Sequence, residues 1–212
     1  MKVREALRLC TTTATLLATL LAASGCASWK RFAYEGWGRD EWQQPERVIE
    51  ALALRDGERV ADVGAGGGYF TFHLAKAVAP DGLVYAVDID PDMIDLLRDR
   101  VRVENARNVE VVTATPDDAG LPPASIDLLF TCNTYHHFDD PVAYFRNARG
   151  TLRTGGRVAI LDLNDRGWFA WLFGHNTPPE KLRAEMAAAG YRLSAEHTFV
   201  AEQTFLVFVP ES

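Results

Sequence analysis

The chain changes its hydrophobic rhythm several times, and each change predicts an element. From Pro45 apolar residues recur at helical spacing through Val48, Ile49 and Leu52, with proline at a helix start. Asp56-Gly57 marks a turn, and the short apolar run 59–63 reads as a strand. Glycines at 64–68 then lead into a helix that extends to about Ala79. Pro80-Asp81-Gly82 turns the chain into a strand over 83–87, and Pro91 opens a helix that extends to about Glu104. Strands are predicted at 109–113 and 126–131, and a helix at 141–152. Gly155-Gly156 leads into a strand at 158–163, and a helix follows at 178–189 with Gly190 as its stop. Runs at 191–199 and 204–209 read as a closing strand pair.

Strand and helix alternate at crossover length from residue 45 to 190. That pattern implies an α/β fold, Rossmann-like and doubly wound, with helices on both faces of a seven-stranded sheet. The sheet is mostly parallel, with an antiparallel C-terminal strand because the last two strands lie so close in sequence.

The N-terminus follows a different rule. Three basic residues in the first eight give way to fifteen uncharged residues, Leu9–Ala23, too few for a membrane span of about 20. The run fits the apolar part of a secretory signal. It ends Ala22-Ala23-Ser24-Gly25-Cys26, which resembles the lipobox of bacterial lipoproteins. The expected organisation is a signal peptide over 1–25, an arm over 26–43 and a domain over 44–212. In that reading Cys26 carries the lipid that anchors the protein to a membrane of the bacterial cell envelope. The alternative is an ordinary N-terminal helix with an incidental cysteine on a cytoplasmic protein.

Composition narrows the function. Hydrophobic residues make up 48% and charged residues 24% of the 212, which are ordinary globular values. Twenty-two basic against 29 acidic residues give a net charge of −7, which argues against a nucleic-acid partner. The three cysteines have no metal-ligand spacing, and no metal is expected.

The chemistry is concentrated in Asp62-Val63-Gly64-Ala65-Gly66-Gly67-Gly68. A strand that ends in glycines lets the backbone turn tightly and approach a ligand. The spacing Gly-x-Gly-x-x-Gly fails, because Tyr69 or Thr71 stands where the third glycine is needed. Asp-x-Gly-x-Gly-x-Gly holds instead. This is similar to the first motif of class I S-adenosylmethionine-dependent methyltransferases, and the similarity continues. Val84–Met93 resembles that family's second strand and terminal acid, Leu121–Leu128 the entry to strand four, and Leu152–Val158 the turn into strand five. The resemblance covers about residues 44–209 and looks closest to the ubiquinone/menaquinone biosynthesis branch.

The resemblance implies S-adenosyl-L-methionine as cofactor and Asp62, Gly64, Ala65, Gly66, Gly68, Asp88, Ile89, Asp117 and Asn133 as its site. A carboxylate at the strand end, Asp88, can accept both ribose hydroxyls. Ile89 would pack on adenine. Asp62 would lie near the methionine amino group, or else simply order the loop. Asp117 would read the adenine amino group, or else cap a helix. Asn133 would line the methyl-transfer channel.

Transfer from a sulfonium is an in-line displacement that mainly needs orientation. A general base helps only where the acceptor loses a proton. Candidates are Tyr135, His136, His137 and His175, each of which has a structural alternative, whereas His73 reads as packing or surface. The aromatic run Trp168-Phe169-Ala170-Trp171-Leu172-Phe173 reads as a lid over an apolar acceptor, a hydrophobic plug or a membrane contact. The expected activity is methyl transfer to a small, partly apolar molecule. Two other readings stay open: an envelope-tethered, non-catalytic module that binds an adenosine ligand, and a nicotinamide-dependent oxidoreductase, which the glycine spacing disfavours.

Overall fold

A computed structural model describes residues 38–165 and 176–211 of the chain. The segment read as a signal peptide, Cys26, most of the 26–43 arm and the aromatic loop with His175 therefore lie outside the described residues. The compact unit runs from Gly38 to Ser212.

Its elements are α1 (Arg39–Gln43), α2 (Pro45–Leu52), β1 (Arg59–Val63), α3 (Tyr69–Ala77), β2 (Leu83–Asp88), α4 (Pro91–Val103), β3 (Val109–Thr113) and β4 (Ile126–Cys132). There follow α5 (Pro141–Ala148), β5 (Leu152–Leu163), α6 (Pro179–Ala188), β6 (Tyr191–His197) and β7 (Gln203–Pro210). The seven strands form one sheet in the order β3-β2-β1-β4-β5-β7-β6. Five run parallel, and β7 lies antiparallel to both β5 and β6. This is the doubly wound architecture expected from the alternation.

The central strands are buried on both faces, so they read as near-continuous apolar runs. Residues then sort by period two. Ala61, Val63, Leu129, Val158 and Ile160 meet Phe145 of α5 and Leu182 and Met186 of α6 on one face. Val60, Leu128, Phe130, Ala159 and Leu161 meet Val48 of α2, Leu74 of α3 and Leu97 of α4 on the other. The Phe130 ring meets Phe70 edge-on at 5.1 Å between centroids.

Two boundaries differ most from expectation. The helix read as 141–152 ends at Ala148, and Arg149–Thr151 forms a 3₁₀ turn. Strand β5 begins at Leu152 and not at Val158. Its first part pairs Leu152 with Ile126, and after a register shift Arg157 pairs with Leu128. Gly155 takes φ 81° inside that irregularity. The strand signal was masked because Gly155 and Gly156 read as a loop. The segment 38–43, read as part of an arm, contains helix α1, and its last residue, Gln43, is fully buried. Among the described residues no helix is long and apolar enough to cross a membrane.

Candidate cofactor and acceptor site

The parallel strands β1, β2, β4 and β5 end on one edge, at Val63, Asp88, Cys132 and Leu163. Ligands of open α/β sheets bind at that edge, where the strand order reverses, here between β1 and β4. The glycine loop leaves β1 at this point.

Its shape is fixed by β2. The amides of Gly64 and Ala65 both donate to the Val87 carbonyl, at 2.9 and 3.1 Å. The next residue, Asp88, turns its carboxylate onto the loop: Oδ2 accepts the Gly66 amide at 2.7 Å. Oδ1 accepts the amides of Ile89 at 2.8 Å and Asp90 at 2.9 Å. Asp88 is only 9% exposed, so it is a buried member of the loop's framework. A carboxylate has about four acceptor positions. Three are taken, so Asp88 as placed can take one ribose hydroxyl, where two were expected.

The glycines are needed for space as well as for torsion. Gly64 takes φ +73°, and a Cβ there would run into the Thr134 side chain. Gly68 takes φ +84°, and a Cβ there would come within 2.8 Å of Phe72 and 2.9 Å of Leu97. The loop therefore packs on the β4 loop on one side and on α3 and α4 on the other.

Asp62 lies at 2% exposure beneath the loop. Its Oδ2 accepts the Thr71 hydroxyl of α3 at 2.6 Å. Burial, opposed by that hydrogen bond and reinforced by the nearby Asp88 charge, pushes its carboxyl up to about 7. A buried carboxyl poised at that value ionises readily when a cationic group arrives beside it. Arg39 of α1 pulls in the same direction, and its guanidinium sits 3.9 Å from the Tyr69 ring centre.

The remaining expected cofactor residues share the same edge. Ala65 lies in the loop between Gly64 and Gly66. Ile89 is 55% exposed, one of few large apolar side chains so open among the described residues, beside the buried Asp88. Asp117 is exposed in the loop after β3. That loop adjoins β2 through the Ala114 amide, which donates to the Asp88 carbonyl at 2.9 Å. Asn133 directly follows β4 at φ 54°, and its side-chain oxygen accepts Gln203 Nε2 at 2.6 Å.

The base candidates separate clearly. Tyr135 is 2% exposed, its ring stacks on Phe145 at 5.5 Å, and its hydroxyl donates to Glu185 at 3.0 Å. Burial, with the Glu185 charge, raises its hydroxyl above the ordinary tyrosine range, so it is a core residue and a poor base. His137 is exposed, with its ring centre 4.1 Å from that of His136. His136 turns inward, with Nδ1 2.9 Å from Asp162 Oδ1, and the two side chains are 6% and 0% exposed. His73 is half-buried against Tyr69 and Phe70, as packing requires.

Several residues here were not found in the sequence. Asp162 is a lone acid in the apolar run of β5, and that isolation was the available signal, since an acid is rarely buried there without a purpose. Gln43 Nε2 donates to Gln203 Oε1 at 3.1 Å and to Cys132 Sγ at 3.0 Å. With the Gln203–Asn133 bond this makes a buried polar chain from α1 to the β4 edge. Nothing in the sequence joins residues 160 positions apart. Burial pushes the Cys132 thiol up to about 12, which leaves it inert.

Comparison with known proteins agrees with this geometry. Residues 61–160 match the family described as "Methyltransferase domain". The chain is 32% identical to aklanonic acid methyltransferase DauC of a Streptomyces species over 135 residues, 63% of this chain and 59% of that protein. It is 31% identical to the ubiquinone/menaquinone biosynthesis C-methyltransferase UbiE of Ectopseudomonas mendocina over 124 residues, 57% of this chain and 47% of that protein. The chain thus spans less than two thirds of these curated relatives. A SAM-dependent methyltransferase from Aquifex aeolicus superposes with a TM-score of 0.79 at 23% identity, over 86% of this chain and 97% of that one. The fold is that of class I methyltransferases, and the cofactor that family and fold imply is S-adenosyl-L-methionine. The residues fit it: a cradle closed to any Cβ at Gly64, an acid with one acceptor position left at the β2 end, and a second acid below the loop.

Proposed function

We propose that this protein is an S-adenosylmethionine-dependent methyltransferase whose acceptor is a small, partly apolar molecule. The observation that carries the reading is the glycine loop locked by the Asp88 carboxylate at the reversal point of the sheet, with the buried Asp62 beneath it. The family match over 61–160 supports it. The cofactor supplies an electrophilic methyl group. Asp88 would hold its ribose, Ile89 would cover its adenine, and Asp62, ionised, would face its ammonium group. The loop amides and Asn133 would shape the channel between cofactor and acceptor.

The chain's contribution to rate is then mainly orientation, which converts two free reactants into one aligned pair. The test is incubation of the purified full chain with methyl-labelled cofactor and a panel of small acceptors, read by mass spectrometry. Label should appear in at least one acceptor and should vanish in Gly64→Val. Label transfer to none, despite cofactor binding, would contradict a catalytic role.

Lipid anchoring at Cys26 is proposed on the sequence alone: the basic start, the fifteen uncharged residues and the small residues before the cysteine. Cys26→Ser should abolish labelling by a fatty-acid analogue. A wild-type protein that is full length and unlabelled would overturn the proposal.

A further inference from the structure

Two glutamines and an asparagine, far apart in sequence, form a one-way relay of hydrogen bonds at the edge that carries the cofactor site. Arg39 Nε of α1 donates to Gln43 Oε1 at 2.5 Å. Gln43 Nε2 donates onward to Gln203 Oε1 at 3.1 Å and to Cys132 Sγ at 3.0 Å. Gln203 Nε2 then donates to Asn133 Oδ1 at 2.6 Å. Gln43 and Gln203 are 0% and 3% exposed, so water does not compete for these bonds.

The direction of the relay follows from its first member. A guanidinium only donates, so Gln43 must turn its oxygen to Arg39 and its amide hydrogens inward. Gln203 must then meet Gln43 with oxygen and Asn133 with hydrogen. An asparagine amide can ordinarily turn either atom to a ligand, but here its oxygen is already engaged. Asn133 keeps Nδ2, which makes no hydrogen bond among the described residues, as the group it can offer.

The backbone sets where that donor lies. Asn133 is half-buried directly after β4, at φ 54°, a conformation that asparagine tolerates. Its neighbour Thr134 packs against Gly64, two residues beyond Asp62. The Arg39 charge acts on both Asp62 and Cys132, the residue before Asn133, so the start of α1 and the ends of β1 and β4 border one region. Asp62 and Asn133 thus reach the same stretch of the loop, one as an acid and the other as a donor. The amino-acid end of S-adenosylmethionine needs such a pair, because its ammonium and its carboxylate share one carbon.

We infer that Asn133 binds the cofactor's carboxylate through Nδ2, that Gln43 and Gln203 are positioning residues that hold it in that orientation, and that the site thereby selects the carboxylate-bearing cofactor over its decarboxylated form. The inference rests on the methyltransferase reading above and deepens it. A ligand group that must itself donate finds no acceptor on the Asn133 side chain.

Two measurements on the full chain test this. The first needs no ligand. In ¹⁵N spectra, with Asn133→Ala and Gln203→Met to assign the signals, the side-chain amide hydrogens of Gln203 should exchange slowly with solvent and those of Asn133 fast. Gln43→Glu, kept ionised by Arg39, has no hydrogen to give. Gln203 must then turn round and Asn133 must donate to it, so one Asn133 hydrogen should become protected. Fast exchange at Gln203 in the wild type, or an unchanged Asn133 in Gln43→Glu, would overturn the inference.

The second compares S-adenosylhomocysteine with its decarboxylated analogue, S-adenosyl-3-thiopropylamine, by calorimetry. The wild type should bind S-adenosylhomocysteine about 10- to 100-fold more tightly, the worth of one hydrogen bond to a charged group. Gln43→Glu and the isosteric Asn133→Asp should each remove that preference without weakening the analogue. Asn133→Asp keeps the acceptor for Gln203, so it decides the matter if Gln43→Glu does not fold. A wild type that binds the two ligands equally, or folded variants that keep the preference or lose both ligands alike, would overturn the inference. A folded wild type that binds neither ligand would instead overturn the methyltransferase reading beneath it.

Discussion

The Asp88 carboxylate accepts the Gly66 amide at 2.7 Å, so the acid at the end of one strand sets the conformation of the glycine loop at the end of its neighbour. With Asp88 also holding the ribose, as proposed, cofactor affinity and local stability would be coupled in one side chain. Asp88→Ala removes an acceptor shared by three backbone amides. Single bonds to a charged partner are each worth about 1.5–3 kcal/mol, and three on one group do not add. The expected loss is about 3 kcal/mol, a fall in Tm of about 6–12 °C for a chain of this size. S-adenosylhomocysteine affinity should fall by more than 30-fold in the same variant. A melt and a titration check the two together, and a variant with lost affinity and an unchanged Tm would contradict the coupling.

Asp90 behaves differently, although it lies two residues away. It caps α4, its side chain accepting the Asp92 amide at 2.9 Å. Asp90→Ala should cost about 0.5–2 kcal/mol of stability, typical for a lost N-cap, and leave affinity within about threefold. Denaturant unfolding and calorimetry separate the two effects.

The Asp62 carboxyl gives a pH dependence with a definite sign. Its folded value is about 7 against an ordinary 3.8, so between those values the folded state holds the extra proton. Stability of the ligand-free protein should therefore fall as pH rises from about 4 to 7 through this group, by a few kcal/mol at most. A cationic ligand favours the ionised form, so binding of S-adenosylhomocysteine should release a proton near pH 6 and tighten about tenfold between pH 6 and 8. Titrations in buffers of different ionisation enthalpy count the proton. Asp62→Asn should abolish the release, and a release that persists would place it elsewhere.

Gly64→Ala tests the cradle. The left-handed torsion costs a non-glycine residue roughly 1–2 kcal/mol, and the new methyl must also displace Thr134. The double variant with Thr134→Gly should recover part of the stability in thermal melts, and no recovery would show that Thr134 is not the obstacle.

Much of this was legible in the sequence, for identifiable reasons. The β1 and β3 boundaries were readable because each is a short apolar run between turn residues. Asp88 stood out because an acid after Val84–Val87 marks a strand end. What the sequence did not show was where Asp88 spends its oxygens, since the Gly66 amide approaches only once β1 and β2 pair. The same holds for Asp162: its chain neighbours are apolar, and its partner His136 arrives from the loop of the adjacent strand. Helix α1 was missed because five residues are too few to show a period, and its anchor Gln43 is polar. Tyr135 looked like a base because it neighbours two histidines, whereas the 3₁₀ turn sends it into the core against Phe145.

The central claim is that the Asp88-locked loop holds S-adenosylmethionine and not a dinucleotide. Isothermal titration of the full chain with S-adenosylhomocysteine, and separately with NAD, tests it most directly. The account predicts saturable one-site binding of S-adenosylhomocysteine and no heat with NAD. A well-folded protein that gives no binding with S-adenosylhomocysteine at millimolar concentration, or that binds NAD instead, would contradict it.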